Sequence, residues 1–122
     1  MIQLPKAVYV ASEPVNLHLS FDRLAGLVRQ LLGGDPCGEA LYVFHNRRRT
    51  HAKLLWHDRW GYCILYKRLD RRVYRIPLAI PAGVPCVKVS CRELELLLEG
   101  FDRRALAAAR RTVRRRARRQ IG

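Results

Sequence analysis

The stretch LYVFHNRRRTHAKLLWHDRWGYCILYKRLDRRVYRIP, from Leu41 to Pro77, decides how this chain folds. Apolar runs rich in Tyr, Val, Phe, Ile, Leu and Trp are cut at short intervals by charged or glycine-containing punctuation. That pattern is the signature of consecutive strands joined by tight hairpins. It places strands at 41–46, 52–57, 62–69 and 73–77. Their connections are short, so neighbours are expected to pair antiparallel. In the third of them Tyr62, Ile64, Tyr66 and Arg68 share one face, and Cys63, Leu65, Lys67 and Leu69 the other. The punctuation is largely arginine: Arg47, Arg48 and Arg49, then Arg59, then Arg71 and Arg72.

Working outward, Ala7–Ala11 alternates in the manner of an edge strand. Phe21, Leu24, Ala25, Val28, Leu31 and Leu32 fall on one stripe of a helix over about 20–32. Ser20 stands at its N-cap position, and Gly33-Gly34 followed by Asp35-Pro36 stops it. Beyond the meander, Cys86–Val89 is a fifth short strand. Ser90-Cys91-Arg92-Glu93 is a capping box that starts a helix over about 90–99, which Gly100 ends. The expected fold is therefore α+β: an antiparallel β-meander of four to five strands packed by two helices. Composition changes sharply at the C-terminal side, dividing the chain into a domain at 1–102 and an arginine-rich tail at 103–122. The tail is expected to be helical or disordered, because so many like charges repel along a helix face.

The 122 residues carry 24 Lys and Arg against 10 Asp and Glu, a formal charge of +14. Such a surplus is an argument about partners rather than fold, and DNA is the partner it favours. Arg47, Arg48, Arg49, Lys53, Lys67, Arg68, Arg71, Arg72 and Arg75 lie on adjacent strands and turns. With Arg110, Arg111, Arg114 and Arg115 of the tail they form the candidate nucleic-acid-binding set. Trp56, Trp60, Tyr62, Tyr66 and Tyr74 interleave with these charges, and only Trp60, beside Gly61 in a turn, is expected to be exposed. No run approaches the ~20 apolar residues that span a bilayer, and the opening residues lack a secretory core. A cytoplasmic protein with reduced thiols is expected, its four cysteines serving as buried small hydrophobes.

No phosphate-binding, dinucleotide, zinc-protease or serine-hydrolase motif is present, so no cofactor, metal or catalytic residue is assigned. A metal-dependent nuclease needs converging carboxylates. Asp58, with Lys67 and Glu39 or Asp70, is the one arrangement to weigh, and His45, His51 and His57 the one histidine grouping.

A longer composite pattern runs through the chain. It comprises Phe21-Asp22-x-Leu24-Ala25-x-Leu27-Val28, Asp35-Pro36, and Leu41-Tyr42-Val43-Phe44-x-Asn46-Arg47-Arg48. It continues with Lys53-Leu54-Leu55-Trp56-x-Asp58-x-x-Gly61, Tyr66-Lys67-Arg68-Leu69, Pro77 and Leu97-Leu98-Glu99-Gly100-Phe101-Asp102. In this the chain resembles the small Orf2-like accessory proteins, labelled TnpB, of bacterial insertion sequences of the sixty-six type. The resemblance implies a non-enzymatic accessory factor for transposition, acting beside a separate transposase and contacting DNA, with insertion-sequence ends as the expected target. The alternatives are a module that docks on the transposase without touching DNA, and the nuclease.

Overall fold

The computed structural model describes residues 5–76, 80–102, 111–112 and 114–115. The elements are β1 (Ala7–Ala11), α1 (Phe21–Gln30), β2 (Ala40–His45), β3 (His51–His57), β4 (Tyr62–Arg68), β5 (Arg72–Val73), β6 (Cys86–Val89), α2 (Cys91–Glu99) and β7 (Phe101–Asp102). This is the α+β class with β2, β3 and β4 as an antiparallel meander. The five-stranded sheet has the order β4-β3-β2-β1-β6.

Two strands differ from the sequence expectation. β1 is no edge: it lies between β2 and β6, parallel to β2 with Ala7 opposite Ala40 and Val10 opposite Val43, and antiparallel to β6. The cause is the intervening helix, since a strand–helix–strand segment returns the chain in the same direction. Nor does the segment after β4 extend the meander. Only Arg72 and Val73 form a strand there, and they pair with Asp102 and Phe101 in a separate ladder. Pro77 of the expected strand 73–77 lies outside the described residues.

Both faces of the sheet are covered, which explains why β2 reads as an unbroken apolar run. On one face α1 brings Leu24, Ala25 and Val28 onto Ala11, Tyr42, Phe44 and Leu55. On the other, α2 brings Leu94 and Leu97, with Tyr74 and Ile76, onto Val8, Val10, Leu41, Val43, Leu54 and Trp56. The helices begin differently. The Ser90 hydroxyl accepts the Glu93 N–H at 3.1 Å and the Glu93 carboxylate accepts the Ser90 N–H at 3.2 Å, a complete capping box. Ser20 occupies the N-cap of α1, but its side chain makes no capping bond.

Gly100 ends α2 at φ 72°, and a Cβ there would sit 2.5 Å from the Val73 carbonyl oxygen. The turn from α2 into β7 thus needs glycine both for its left-handed backbone and for the close approach of β5. Gly100→Ala is expected to cost at least about 2 kcal/mol, read as a lower urea midpoint with unchanged slope.

Candidate nucleic-acid interface

The parallel pair sets the geometry. β1 and β2 finish at the same end of the sheet, where β3 begins and β4 ends: His45 lies opposite Ala52, and His51 opposite Arg68. The turn joining β2 to β3 is held by one side chain. Asn46 Oδ1 accepts the N–H groups of Thr50 at 2.9 Å and His51 at 3.0 Å, and Nδ2 donates to Thr50 Oγ1 at 3.0 Å. A further bond from Arg49 N–H to the Asn46 carbonyl closes the turn at 3.1 Å. Arg47 and Arg48 are its corners and both side chains are exposed. Arg49 follows at φ 60°, the only non-glycine residue among those described with a left-handed backbone.

The chain after β4 folds back onto this turn. Leu69 N–H donates to the Thr50 carbonyl at 2.9 Å and Tyr74 N–H to the Arg49 carbonyl at 2.8 Å. Arg71 and Arg72 are thereby brought toward the same end and are exposed. Lys67 and Arg68, the last residues of β4, project to opposite faces. Lys67 lies opposite Ala52 on the α2 side, and Arg68 opposite His51 on the α1 side. Arg68 has Asp70 3.5 Å away, but both are largely exposed, so that pair stabilises little.

Other cations of the predicted set are engaged in the fold. The Lys53 ammonium donates to the Leu19 carbonyl at 2.7 Å and lies 5.1 Å from the Tyr66 ring centroid, tying β3 to the segment before α1. Arg72 donates to the Gly100 carbonyl at 2.9 Å, and the Arg75 guanidinium stacks 4.0 Å from the Phe101 ring centroid. Tyr74, fully buried, donates its hydroxyl to the Lys67 carbonyl at 2.9 Å. Burial pushes its pKa up to about 12. In the tail Arg111, Arg114 and Arg115 are helical and exposed; Arg110, and most of the stretch expected to be helical or disordered, lies outside the described residues.

The weighed nuclease arrangement does not assemble. Asp58 sits in the β3–β4 hairpin, at the opposite end of β4 from Lys67, about 16 Å along the strand from Tyr62 to Lys67. Its carboxylate is already committed, accepting the N–H groups of Trp60 at 2.7 Å and Gly61 at 2.9 Å. Those bonds hold its pKa below the ordinary carboxylate value. The histidines do not cluster either: His51 and His57 bracket β3, and His45 is buried with Nε2 2.8 Å from the Ala11 carbonyl. Among the described residues no three His, Cys, Asp or Glu side chains come together. The cysteines are less buried than expected: Cys37 and Cys91 are exposed, Cys63 and Cys86 half-buried, and all four are free thiols. Trp60 is exposed as expected, at 85%. Tyr66, at 56%, lies beyond Tyr62 and Ile64, the residues of β4 that pack against the α1-side core; alternation puts all three on one face and gives no sign of where the cover stops. The Asn46 clamp does have a sequence signal, an asparagine at the start of a turn.

A small mixed-sheet domain with a cationic end is thus the class of protein defined here. The family described as IS66 Orf2 like protein matches residues 6–108, and the chain belongs to it. A protein of Sinorhizobium fredii, described as "Uncharacterized protein y4hO", is 32% identical over 95 residues, covering 78% of this chain and 80% of that protein. No solved structure matches. No helix among the described residues is long and apolar enough to cross a membrane.

Two outcomes follow from the turn. Asn46→Ala leaves two half-buried N–H groups without acceptors and is expected to cost about 2 kcal/mol in urea unfolding. His45 has its pKa lowered from 6.5, chiefly by burial, against the opposing effect of its backbone carbonyl contacts. The unfolded chain therefore takes up the proton first. Stability from this group is complete above about pH 6.5 and falls as the pH drops below it, whereas the Asp58 contribution is lost only below its unfolded value of 3.8. Urea midpoints should decline between pH 7.5 and 5.5, and His45→Gln should flatten that decline.

Proposed function

We propose that this protein is a non-enzymatic, DNA-binding accessory factor for transposition of a bacterial insertion sequence, acting in the cytoplasm with the element's separate transposase. Family membership supports the mobile-element setting. The observation that carries the DNA reading is the convergence of Arg47, Arg48, Lys67, Arg68 and Arg71 on one end of the sheet, all exposed. Guanidinium groups at turn corners can reach phosphate in bidentate fashion. Their arrangement around a rigid hairpin tracks a backbone rather than reading bases. Lys53, Arg72 and Arg75 brace this end through the Leu19 carbonyl, the Gly100 carbonyl and the Phe101 ring. The arginine-rich stretch 103–122 acts as a separate tail that adds non-specific attraction, with Arg110, Arg111, Arg114 and Arg115 on phosphates.

A second reading, a module docking on the transposase, is favoured by Trp60. It projects from the β3–β4 hairpin with the Arg59 guanidinium 5.3 Å from its ring centroid, at the end of the sheet away from the cationic turn. Exposed tryptophan with arginine is a common anchor of protein contacts. Nuclease-resistant co-purification with the transposase that Trp60→Ala abolishes would support this docking role.

The DNA reading is tested by fluorescence anisotropy on element-end and random duplexes across a salt series. With the five sheet-end cations and the four tail arginines on phosphates, binding should weaken with a log–log slope of about −8. The double variant Arg47→Ala/Arg48→Ala should reduce the magnitude of that slope by about 2, while Trp60→Ala should leave it unchanged. Absence of binding at low salt overturns the reading.

A further inference from the structure

Beside the cationic turn lies an open cleft of about 350 Å³, formed by the 15–18 segment with Asn46, His51 and Tyr66. It adjoins a second cleft of about 520 Å³, which shares Asn16 and His18 and runs on to Ser20–Arg23 at the start of α1. Together they make a continuous track along the end of the sheet, on the face that α1 covers farther along.

The chemistry of the first cleft is specific. The Tyr66 ring stacks with His51 at a centroid distance of 5.9 Å and an interplanar angle of 29°. The Lys53 ammonium also lies 5.1 Å from the ring centroid, yet more than half of Tyr66 is exposed, and that exposed part of the ring is the surface for a further stacking partner. The hydrogen of the neutral His51 ring is fixed by its neighbours. Asn46 Oδ1 accepts two backbone N–H groups, so Nδ2 is the atom turned toward His51 Nδ1, at 3.3 Å. The Thr50 hydroxyl, which accepts from that same amide, is 2.8 Å from Nδ1 and donates to it. Nδ1 is therefore the acceptor, and Nε2 carries the hydrogen, available as a donor.

We propose that this cleft receives an unpaired nucleobase, stacked on Tyr66 and hydrogen-bonded by the Nε2–H of His51. Arg68, opposite His51 in the β3–β4 register, takes the adjoining phosphate. The second cleft, with exposed Phe21 and Arg23, guides the strand onward. Stacking on an aromatic face tolerates any base, so the cleft distinguishes single-stranded from duplex DNA rather than one sequence from another. The proposal rests on the DNA-binding reading and adds a preference for duplex ends or junctions with unpaired nucleotides.

The test compares a blunt duplex with the same duplex carrying a short thymine overhang, using the full chain at fixed salt. The unaltered protein should bind the overhang roughly tenfold more tightly. Tyr66→Ala should lose that preference while keeping its affinity for the blunt duplex, and Tyr66→Phe should retain it. Equal affinity of the unaltered protein for both duplexes, or a preference that survives Tyr66→Ala, overturns the cleft assignment and leaves the duplex-binding reading standing. Failure to bind either duplex at low salt overturns both.

Discussion

The parallel pairing of β1 with β2 is the constraint on which the rest of the structure depends. Parallel neighbours cannot be joined by a hairpin, so the chain must run back along the sheet before β2 can begin, and α1 makes that return while burying one face. β2 then sits in the middle of the sheet with apolar side chains on both sides, which requires a second cover. α2, Tyr74 and Ile76 supply it. The same pairing collects the ends of β1 and β2, the start of α1, the β2–β3 turn and the end of β4 at one end of the molecule.

That end concentrates cations without placing them in one environment. Arg47, Arg48, Lys67, Arg68 and Arg71 are exposed, where solvent screens their mutual repulsion. Lys53, Arg72 and Arg75 are held by the Leu19 carbonyl, the Gly100 carbonyl and the Phe101 ring. The second group organises the segments that carry the first. Charge at the turn also acts inward: Arg49 disfavours protonation of buried His45, as its burial does. The opposite end of the sheet is built differently, with the Asp58 carboxylate closing the β3–β4 hairpin on two N–H groups and Trp60 projecting from it.

Much of this was legible in the sequence. The short apolar runs of β2, β3 and β4 between charged turns, the capping box of α2 and the apolar stripe of α1 each specify an element locally, and each forms nearly where its pattern lies. Strand order was not so local. The β1–α1–β2 order carries the signal for a parallel pair, but the short β1 has the look of an edge because its small residues leave the pairing partner unspecified. Likewise Val73–Ile76 is as apolar as a strand, yet Tyr74 and Ile76 turn into the core beside α2 and only Arg72–Val73 finds a ladder. Which arginines are tied to other parts of the fold could not be read from spacing. Arg72 and Arg75 differ from Arg47 and Arg48 only through contacts with Gly100 and Phe101, residues about 26 to 28 positions away in the chain.

The central claim, that DNA meets the molecule at the end where β1 and β2 finish, is tested most directly by amide NMR of the labelled full chain titrated with a short duplex. The account predicts shift changes concentrated at residues 46–51 and 67–72, with the amides of Asp58–Gly61 undisturbed. Changes centred on the β3–β4 hairpin or on β6, with the 46–51 turn silent, would contradict it.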